Sequence, residues 1–264
     1  MTNSIFIDIA NHHISVFARD KNQRTTPLYE TTFEQPLSTF ENQISSLLNE
    51  AFAKIKQRHR FSRPTINVIL SDLFFQHRIF SFDALPDSPQ AITTLTERRF
   101  FAETYLEPQH HHVAHQSFNK TAPYYIWTSA LKSELRKTLH KKAEQNGLMI
   151  SSITSQSIDI FNKYRTVLKT SPGSLLSISQ DCVSLIIWTA QGIPCFTHQI
   201  PLAQPTTSTT LLNQLIRFLK SHELAHEESL KLYIHDPLDL VEEQAFQDFF
   251  PSRLSAPLHF KQAS

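Results

Sequence analysis

Two short stretches of the sequence carry residue types that could hold a metal-bound phosphate. In the first, Asp8 ends an apolar run of strand length, and a polar turn containing Asn11 and His12 follows. A carboxylate at a strand end can face a metal ion, and the backbone N–H groups of the next turn can cradle a phosphate when glycine lets them approach. The second stretch has Ser179 and Asp181 in the matching turn. These five residues are the candidate nucleotide-binding residues of the chain.

The scarcity of glycine argues against a working phosphate-binding turn. The 264 residues include three glycines, Gly147, Gly173 and Gly192, whereas average usage is roughly 7%. None of the three lies in either turn. A Cβ that faces a phosphate prevents close approach of the backbone and costs hydrogen bonds. We therefore expect a degenerate nucleotide site without catalytic residues.

Composition and charge exclude several other classes of protein. The net charge of +1 argues against a general nucleic-acid binder. Cys182 and Cys195 lie in apolar, strand-like context, which predicts core thiols and neither a disulfide framework nor a zinc site. No stretch approaches ~18 apolar residues, so no membrane span is expected. Because the first apolar run carries Asp8, no signal peptide is expected either.

The histidine-rich segment 110–115 invites a metal-binding interpretation. If it were helical, His111 and His115 would share a face at the spacing of some zinc sites. Pro108 before the segment and the alternating pattern after it favour a strand or loop, and we expect no metal site there. A nuclease with carboxylate-bound metals is also disfavoured, because Asp8 is the one clear strand-end carboxylate of the first half.

One order of predicted elements occurs twice along the chain. Residues 6–19 and 175–188 both read as apolar strand, polar turn and apolar strand, and their alignment places Ala10 on Ser179. The duplication predicts an α/β fold with two related halves, mixed sheets and flanking helices. The halves are predicted at 1–170 and 171–264, and the first contains a small inserted α/β subdomain at about 64–146.

Helical periodicity completes this prediction. Helices are predicted near 40–60, 89–105, 129–145 and 157–168, then at about 211–219 and 239–249, with a last strand near 255–260. Basic residues cover the helix at 129–145 outside its apolar face. A solvated face is favoured there over a surface for acidic lipids or for a partner.

With both hairpins in place, the chain resembles the actin-like ATPase superfamily, whose fold is also called RNase H-like. More narrowly, it resembles the PilM-type proteins of type IV pilus assembly and their relatives, the MSHA-pilus protein MshI and the cytoplasmic domain of the type II secretion protein GspL. The matching stretches cover most of the chain, and their order carries the resemblance. They are Ile7-Asp8-Ile9, Ile14-Ser15-Val16, Arg78-Ile79-Phe80, Gln145-Asn146-Gly147-Leu148, Gly173 to Ile178, Gly192-Ile193-Pro194 and His198-Gln199-Ile200-Pro201.

The chain departs from this family at all three nucleotide-contacting stretches. Ala10 and Ser179 stand where working phosphate loops carry glycine, and residues 234–239 replace the glycine-rich adenosine loop. The short spacing between Pro201 and Lys231 leaves no room for one of the usual four subdomains, as in GspL. The resemblance therefore implies an actin-like protein with one subdomain reduced or missing and a vestigial nucleotide site.

The function implied by the resemblance is that of a cytoplasmic scaffold, placed at the inner membrane through a partner. That partner would be a PilN-like inner-membrane protein whose N-terminal cytoplasmic tail docks in a groove. No cofactor is expected, and self-association is left open. The alternative is an ATP-binding ATPase that uses Mg and has Asp8 on the metal side. The candidate partner-binding residues, taken from the second subdomain, are Phe74, Arg78, Phe80, Phe100 and Phe101.

Overall fold

The computed structural model describes residues 4–19, 25–33, 41–58, 65–168, 172–179, 181–202 and 231–236, together with residues 210, 213, 214 and 217. The elements in chain order are β1 (Ser4–Ile9), β2 (His13–Arg19), β3 (Thr25–Thr32), α1 (Glu41–Arg58), β4 (Thr65–Leu70), β5 (Phe75–Phe82), α2 (Pro89–Thr104), β6 (His111–Ser117), β7 (Tyr124–Lys132), α3 (Ser133–Gln145), β8 (Met149–Ser155), α4 (Gln156–Leu168), β9 (Gly173–Ile178), β10 (Cys182–Trp188), β11 (Pro194–Pro201) and β12 (Lys231–His235). The elements predicted at 211–219, 239–249 and 255–260 lie wholly or largely outside the described residues.

Two sheets repeat one topology, as the duplicated sequence pattern predicts. The first has the order β3-β2-β1-β4-β8 and the second the order β11-β10-β9-β12. In each, the first strand of the hairpin pairs antiparallel with the second and parallel with a later strand. The two hairpin turns close alike, since Ala10 N–H donates to the His13 carbonyl at 2.8 Å and Ser179 N–H to the Cys182 carbonyl at 2.9 Å. The alignment of Ala10 with Ser179 is confirmed by these bonds.

A third sheet, of order β5-β7-β6, is inserted between β4 and β8. The strand at 65–70 pairs with β1 of the first sheet, although the sequence analysis assigned it to the inserted subdomain. Helix α3 packs against α1, so it too belongs with the first sheet. Within the described residues, the inserted sheet and α2 therefore occupy a shorter stretch than the predicted 64–146.

Helix α1 covers the first sheet with an apolar face of Leu48, Ala51, Phe52 and Ile55, all buried. Helix α3 ends as its sequence predicts, because Gly147 has φ +71° just after the helix, a backbone conformation that side chains disfavour. Every residue of β9 and β10 is buried, as expected for strands covered on both faces. No helix of the described part is long and apolar enough to cross a membrane.

Candidate functional site

The turns of the two related hairpins meet at the carboxylate of Asp181. Its Oδ2 accepts a hydrogen bond of 3.0 Å from the backbone N–H of Asn11 in the first turn. Its Oδ1 accepts from the hydroxyls of Ser71, which follows β4, and of Ser179, both at 2.9 Å. Asp181 is only 2% exposed. A backbone donor that a phosphate would use in the first turn is therefore bound by a carboxylate of the chain itself.

A second buried carboxylate, Asp72, lies at the N-terminus of α4. Its oxygens accept hydrogen bonds from the backbone N–H of Ser157 at 3.2 and 3.3 Å and from the Ser157 hydroxyl at 2.8 Å. Helix N-termini are favourable places for anions, because their N–H groups lack helical partners and the helix dipole is positive there. Asp72 thus fills a second position that suits a phosphate.

Asp72 also connects the two halves of the chain. Its Oδ2 accepts a hydrogen bond of 2.7 Å from the hydroxyl of Ser184 in β10, and its backbone carbonyl accepts one of 2.8 Å from Gln199 in β11. Burial by itself would raise the pKa of Asp72, but the neighbouring His77, with hydrogen bonds from Ser184 and Ser157, outweighs burial and holds the pKa below its usual value. The ionised carboxylate is therefore the stable form in this place.

Asp72 is not among the residues predicted from the sequence, although a signal for it exists. Ser71 and Asp72 follow a buried strand directly, and that strand lies parallel to the strand that ends at Asp8. The carboxyl ends of parallel strands meet at one edge of a sheet, where ligand sites form. The inference needed the pairing of β4 with β1, and that pairing was not part of the prediction.

Asp8 lies close to this cluster but has a different environment. Its Oδ1 accepts a hydrogen bond of 3.0 Å from the side-chain amide of Gln156. Burial raises the pKa of Asp8 to about 6, against the opposing effects of the Gln156 hydrogen bond and of His13, and with smaller contributions from Asp159 and Asp181. A carboxyl group surrounded in this way keeps its proton to a higher pH than an ordinary carboxyl group does, and a bound cation would oppose that effect.

His12 makes its contacts outside this cluster. Its Nδ1 is 3.3 Å from the carbonyl oxygen of Phe33, and its ring stacks on the Phe33 ring. Of the five nucleotide-binding candidates, Asn11, Ser179 and Asp181 are thus brought into one cluster, Asp8 lies beside it, and His12 contacts the end of β3. Their role in nucleotide binding stays a prediction.

His111 to His115 of the histidine-rich segment lie in β6 and His110 ends the short turn before it, in agreement with the strand or loop interpretation. In the part of the chain that the structure describes, no group of three or more His, Cys, Asp or Glu side chains is arranged to hold a metal ion.

The five partner-binding candidates lie mostly within the fold. Phe80 and Phe100 are 2% and 0% exposed in a separate apolar cluster, and Phe101 packs against it. We correct Phe80 and Phe100 to core residues, because their rings have no surface left for a partner. Phe74 packs against the core of the first sheet, and the guanidinium of Arg78 donates to a backbone carbonyl at 2.8 Å. For Phe74, Arg78 and Phe101, partner contact stays a prediction.

A groove of about 560 Å³ opens between β6 and β8, and we call it the β6–β8 groove. Residues 150–155 of β8 form one wall, and β6 contributes to the other. Trp127 and Phe161 belong to its apolar lining, and Arg136 and His140 of α3 are also among its lining residues. Its volume lies in the range typical of ligand sites. This groove is not predicted from the sequence, because it lies between strands of separate sheets.

A buried histidine links the β6–β8 groove to Asp72. His77 Nδ1 lies 2.7 Å from the hydroxyl of Ser129, and Nε2 lies 3.0 Å from the hydroxyl of Ser155 and 3.8 Å from Asp72 Oδ1. Both serines line the groove. The indole N–H of Trp127 also donates to Nδ1 at 3.3 Å. A series of polar contacts therefore connects the groove with Asp72, the carboxylate that contacts both halves.

The fold is that of the actin-like ATPases, as the sequence analysis predicted. A Bacteroides thetaiotaomicron protein described as having an actin-like ATPase fold matches with a TM-score of 0.59 and 11% identity, over 96% of this chain and 89% of its own. A chain of a PilM–PilN type IV pilus biogenesis complex matches with a TM-score of 0.69 and 12% identity, over 96% of this chain and 87% of its own.

A third similar structure is the cytoplasmic domain of EpsL, an inner-membrane component of the type II secretion system of Vibrio cholerae. It matches with a TM-score of 0.56 and 9% identity, over 91% of this chain and 85% of its own. No family model matches the sequence, and no curated protein does. At these identities the comparisons establish the fold.

Proposed function

We propose that this chain is a cytoplasmic assembly component of a type IV pilus-like or type II secretion-like machine, held at the inner membrane through a partner. In this role it docks the cytoplasmic tail of a PilN-like inner-membrane protein and does not hydrolyse ATP. The observation that carries the proposal is the placement of Asp181 and Asp72. Both occupy anion-binding positions between the halves, where a nucleotide would need its phosphates.

The fold neighbours support the assembly role. One belongs to a complex of PilM with PilN, and another to an inner-membrane component of a type II secretion system. In this chain, the β6–β8 groove offers the tail an apolar lining and an unpaired strand edge, since β8 is the outermost strand of its sheet in the described residues. We therefore place the docking of the tail in this groove.

The competing function is ATP binding with Asp8 on the metal side. The raised pKa of Asp8 gives this alternative its one structural support, because a bound cation would relieve the burial of the carboxylate. In that case the contacts of Asp181 and Asp72 would have to open before phosphates could enter.

Thermal unfolding with Mg-ATP distinguishes the two functions. A ligand at 100 times its Kd stabilises the folded state by about 2.7 kcal/mol, which corresponds to several degrees in Tm for a chain of this size. We expect no shift for this protein, with a nucleotide-binding actin-like ATPase as the positive control. A rise of several degrees that Asp8→Asn abolishes would overturn the proposal in favour of ATP binding.

Calorimetric titration with the N-terminal tail of a PilN-like protein encoded beside this chain tests the docking. Ala114 is an exposed residue of β6 that lines the β6–β8 groove, so Ala114→Trp should obstruct the groove and weaken binding at least about tenfold. Ala102→Trp, at an exposed position of α2 outside the groove, is the matched control and should bind as the wild type does. Equal affinities of both variants would place the tail elsewhere, and absence of binding by the wild type would refute the docking.

A further inference from the structure

The side chains that line the β6–β8 groove carry charge of one sign only. Among the described residues that line it there is no Asp or Glu, but there are one arginine, Arg136, and three histidines, His112, His115 and His140. Arg136 and His140 are separated by one turn of α3 and therefore share a face. A ligand that complements this lining brings a negative charge.

Arg136 is the fixed charge of the groove. Burial lowers the pKa of His112 and of His140, and the nearby guanidinium of Arg136 lowers both further, while Glu97 beside His112 and Glu144 beside His140 act in the opposite direction. In the described part of the chain Arg136 forms no ion pair. A partly buried guanidinium without a carboxylate has its strongest complement in a planar oxyanion, which it binds in a bidentate manner.

The shape of the groove indicates an extended peptide as the carrier of that charge. Alternate side chains of a strand point to opposite faces, yet all six residues from 150 to 155 line the groove. The groove is therefore in contact with the backbone edge of β8 as well as with its side chains. That edge offers about 20 Å of N–H and C=O groups to which a further strand can pair.

We propose that the β6–β8 groove binds an extended protein segment that pairs with the edge of β8 and places a carboxylate side chain against Arg136. Arg136 is then the residue that sets specificity, and apolar side chains of the same segment pack against the partly exposed rings of Phe75 and Phe118, which also line the groove. This inference rests on the docking proposed above and adds the chemistry of the docked segment. Free phosphate and free carboxylates carry an anionic group as this segment does, but they have no extended backbone that can pair with the edge of β8.

Panning a phage-displayed library of random twelve-residue peptides against the full chain tests the chemistry. We expect enriched sequences with Asp or Glu at one fixed position among apolar residues. Panning against Arg136→Glu should enrich Lys or Arg at that position, and each peptide should bind the mismatched protein at least about tenfold more weakly. Enrichment without an acidic position, a preference unaltered in Arg136→Glu, or no enrichment at all would overturn the proposal.

Two controls complete the test. The wild type and Arg136→Glu should have the same circular dichroism and melting transition, since Arg136 is partly exposed on a helix and Glu is a good helix former. Amide hydrogen exchange with the selected peptide bound should slow at residues 150–155, whereas inorganic phosphate and acetate should leave these amides unchanged. Protection confined to other residues would exclude pairing with β8.

The result can be separated from that for the proposed function. Selected peptides without an acidic preference would remove the role of Arg136 and leave the docking of a PilN-like tail intact. Acidic peptides that bind in the groove, together with no affinity for any PilN-like tail, would keep the inference and exclude the proposed partner.

Discussion

Replacing Asp181 by alanine should destabilise the whole chain. The change removes the acceptor of the Asn11 backbone N–H and of the Ser71 and Ser179 hydroxyls, all in a buried place. A hydrogen bond to a charged group contributes about 1.5–3 kcal/mol, and a buried neutral donor left without an acceptor costs about 1–3 kcal/mol. The Ser179 hydroxyl keeps a second acceptor in the Cys182 carbonyl. We therefore expect a loss of about 3–4 kcal/mol in the free energy of unfolding.

Urea unfolding followed by circular dichroism measures this loss directly, and the corresponding fall in Tm is about 10 °C. Asp181→Asn keeps the volume and can keep part of the hydrogen bonding, so it should lose roughly half as much. Glu134→Gln is the matched control, because Glu134 is an exposed carboxylate in a surface ion pair with Lys137, and it should leave the midpoint unchanged. A destabilisation of Asp181→Ala no larger than that of Glu134→Gln would refute the assignment of Asp181 as a structural contact between the halves.

Three further results are expected. Asp8→Asn should stabilise the chain by about 1–2 kcal/mol at pH 7.5. The pKa of Asp8 is about 6 in the folded state, against an ordinary value of 3.8. The stability that the protonated form of Asp8 contributes is therefore present below pH 4 and is lost as pH rises through 6. Urea midpoints that fall over this pH range in the wild type and not in Asp8→Asn would confirm this. The pH dependence that Asp72 contributes has the opposite sign, because its lowered pKa makes its contribution to stability present above pH 3.8 and lost on acidification. Asp72→Asn should therefore reduce the fall of the urea midpoint at acid pH, and an unchanged fall would contradict this sign. Phe100→Ala should lower the free energy of unfolding by about 3–5 kcal/mol. Tyr105→Ser, at a side chain 91% exposed, should leave the urea midpoint unaltered, and a similar loss of stability in both variants would contradict the burial described.

Local patterns were sufficient to predict the hairpins and the duplication. Residues 4–19 read as an apolar run, a short polar turn and a second apolar strand, and the order of elements repeats in the second half. The end of α3 was equally readable, because Gly147 follows the last apolar position of that helix. Each of these features depends on residues that are close in sequence.

The contacts that define the candidate site are of another kind. Asp181 reaches Asn11 across 170 residues, and Asp72 reaches Ser184 across 112. The local sequence pattern around these carboxylates does not indicate which distant groups donate hydrogen bonds to them. The error over Phe80 and Phe100 has the same origin, since an apolar ring in a strand or helix looks alike in sequence whether it faces a core or a partner.

The long sequence separation of the Asp181 contacts has a consequence for how the chain folds. Hairpins such as β1–β2 form within microseconds, but a contact that closes a loop of 110 or 170 residues waits for both ends to be in place. During synthesis the first hairpin is therefore complete while Asp181 has yet to leave the ribosome, and its Asn11 N–H still lacks that carboxylate. Completion of the second hairpin closes this turn, so a contact that joins the two halves can form only late in synthesis.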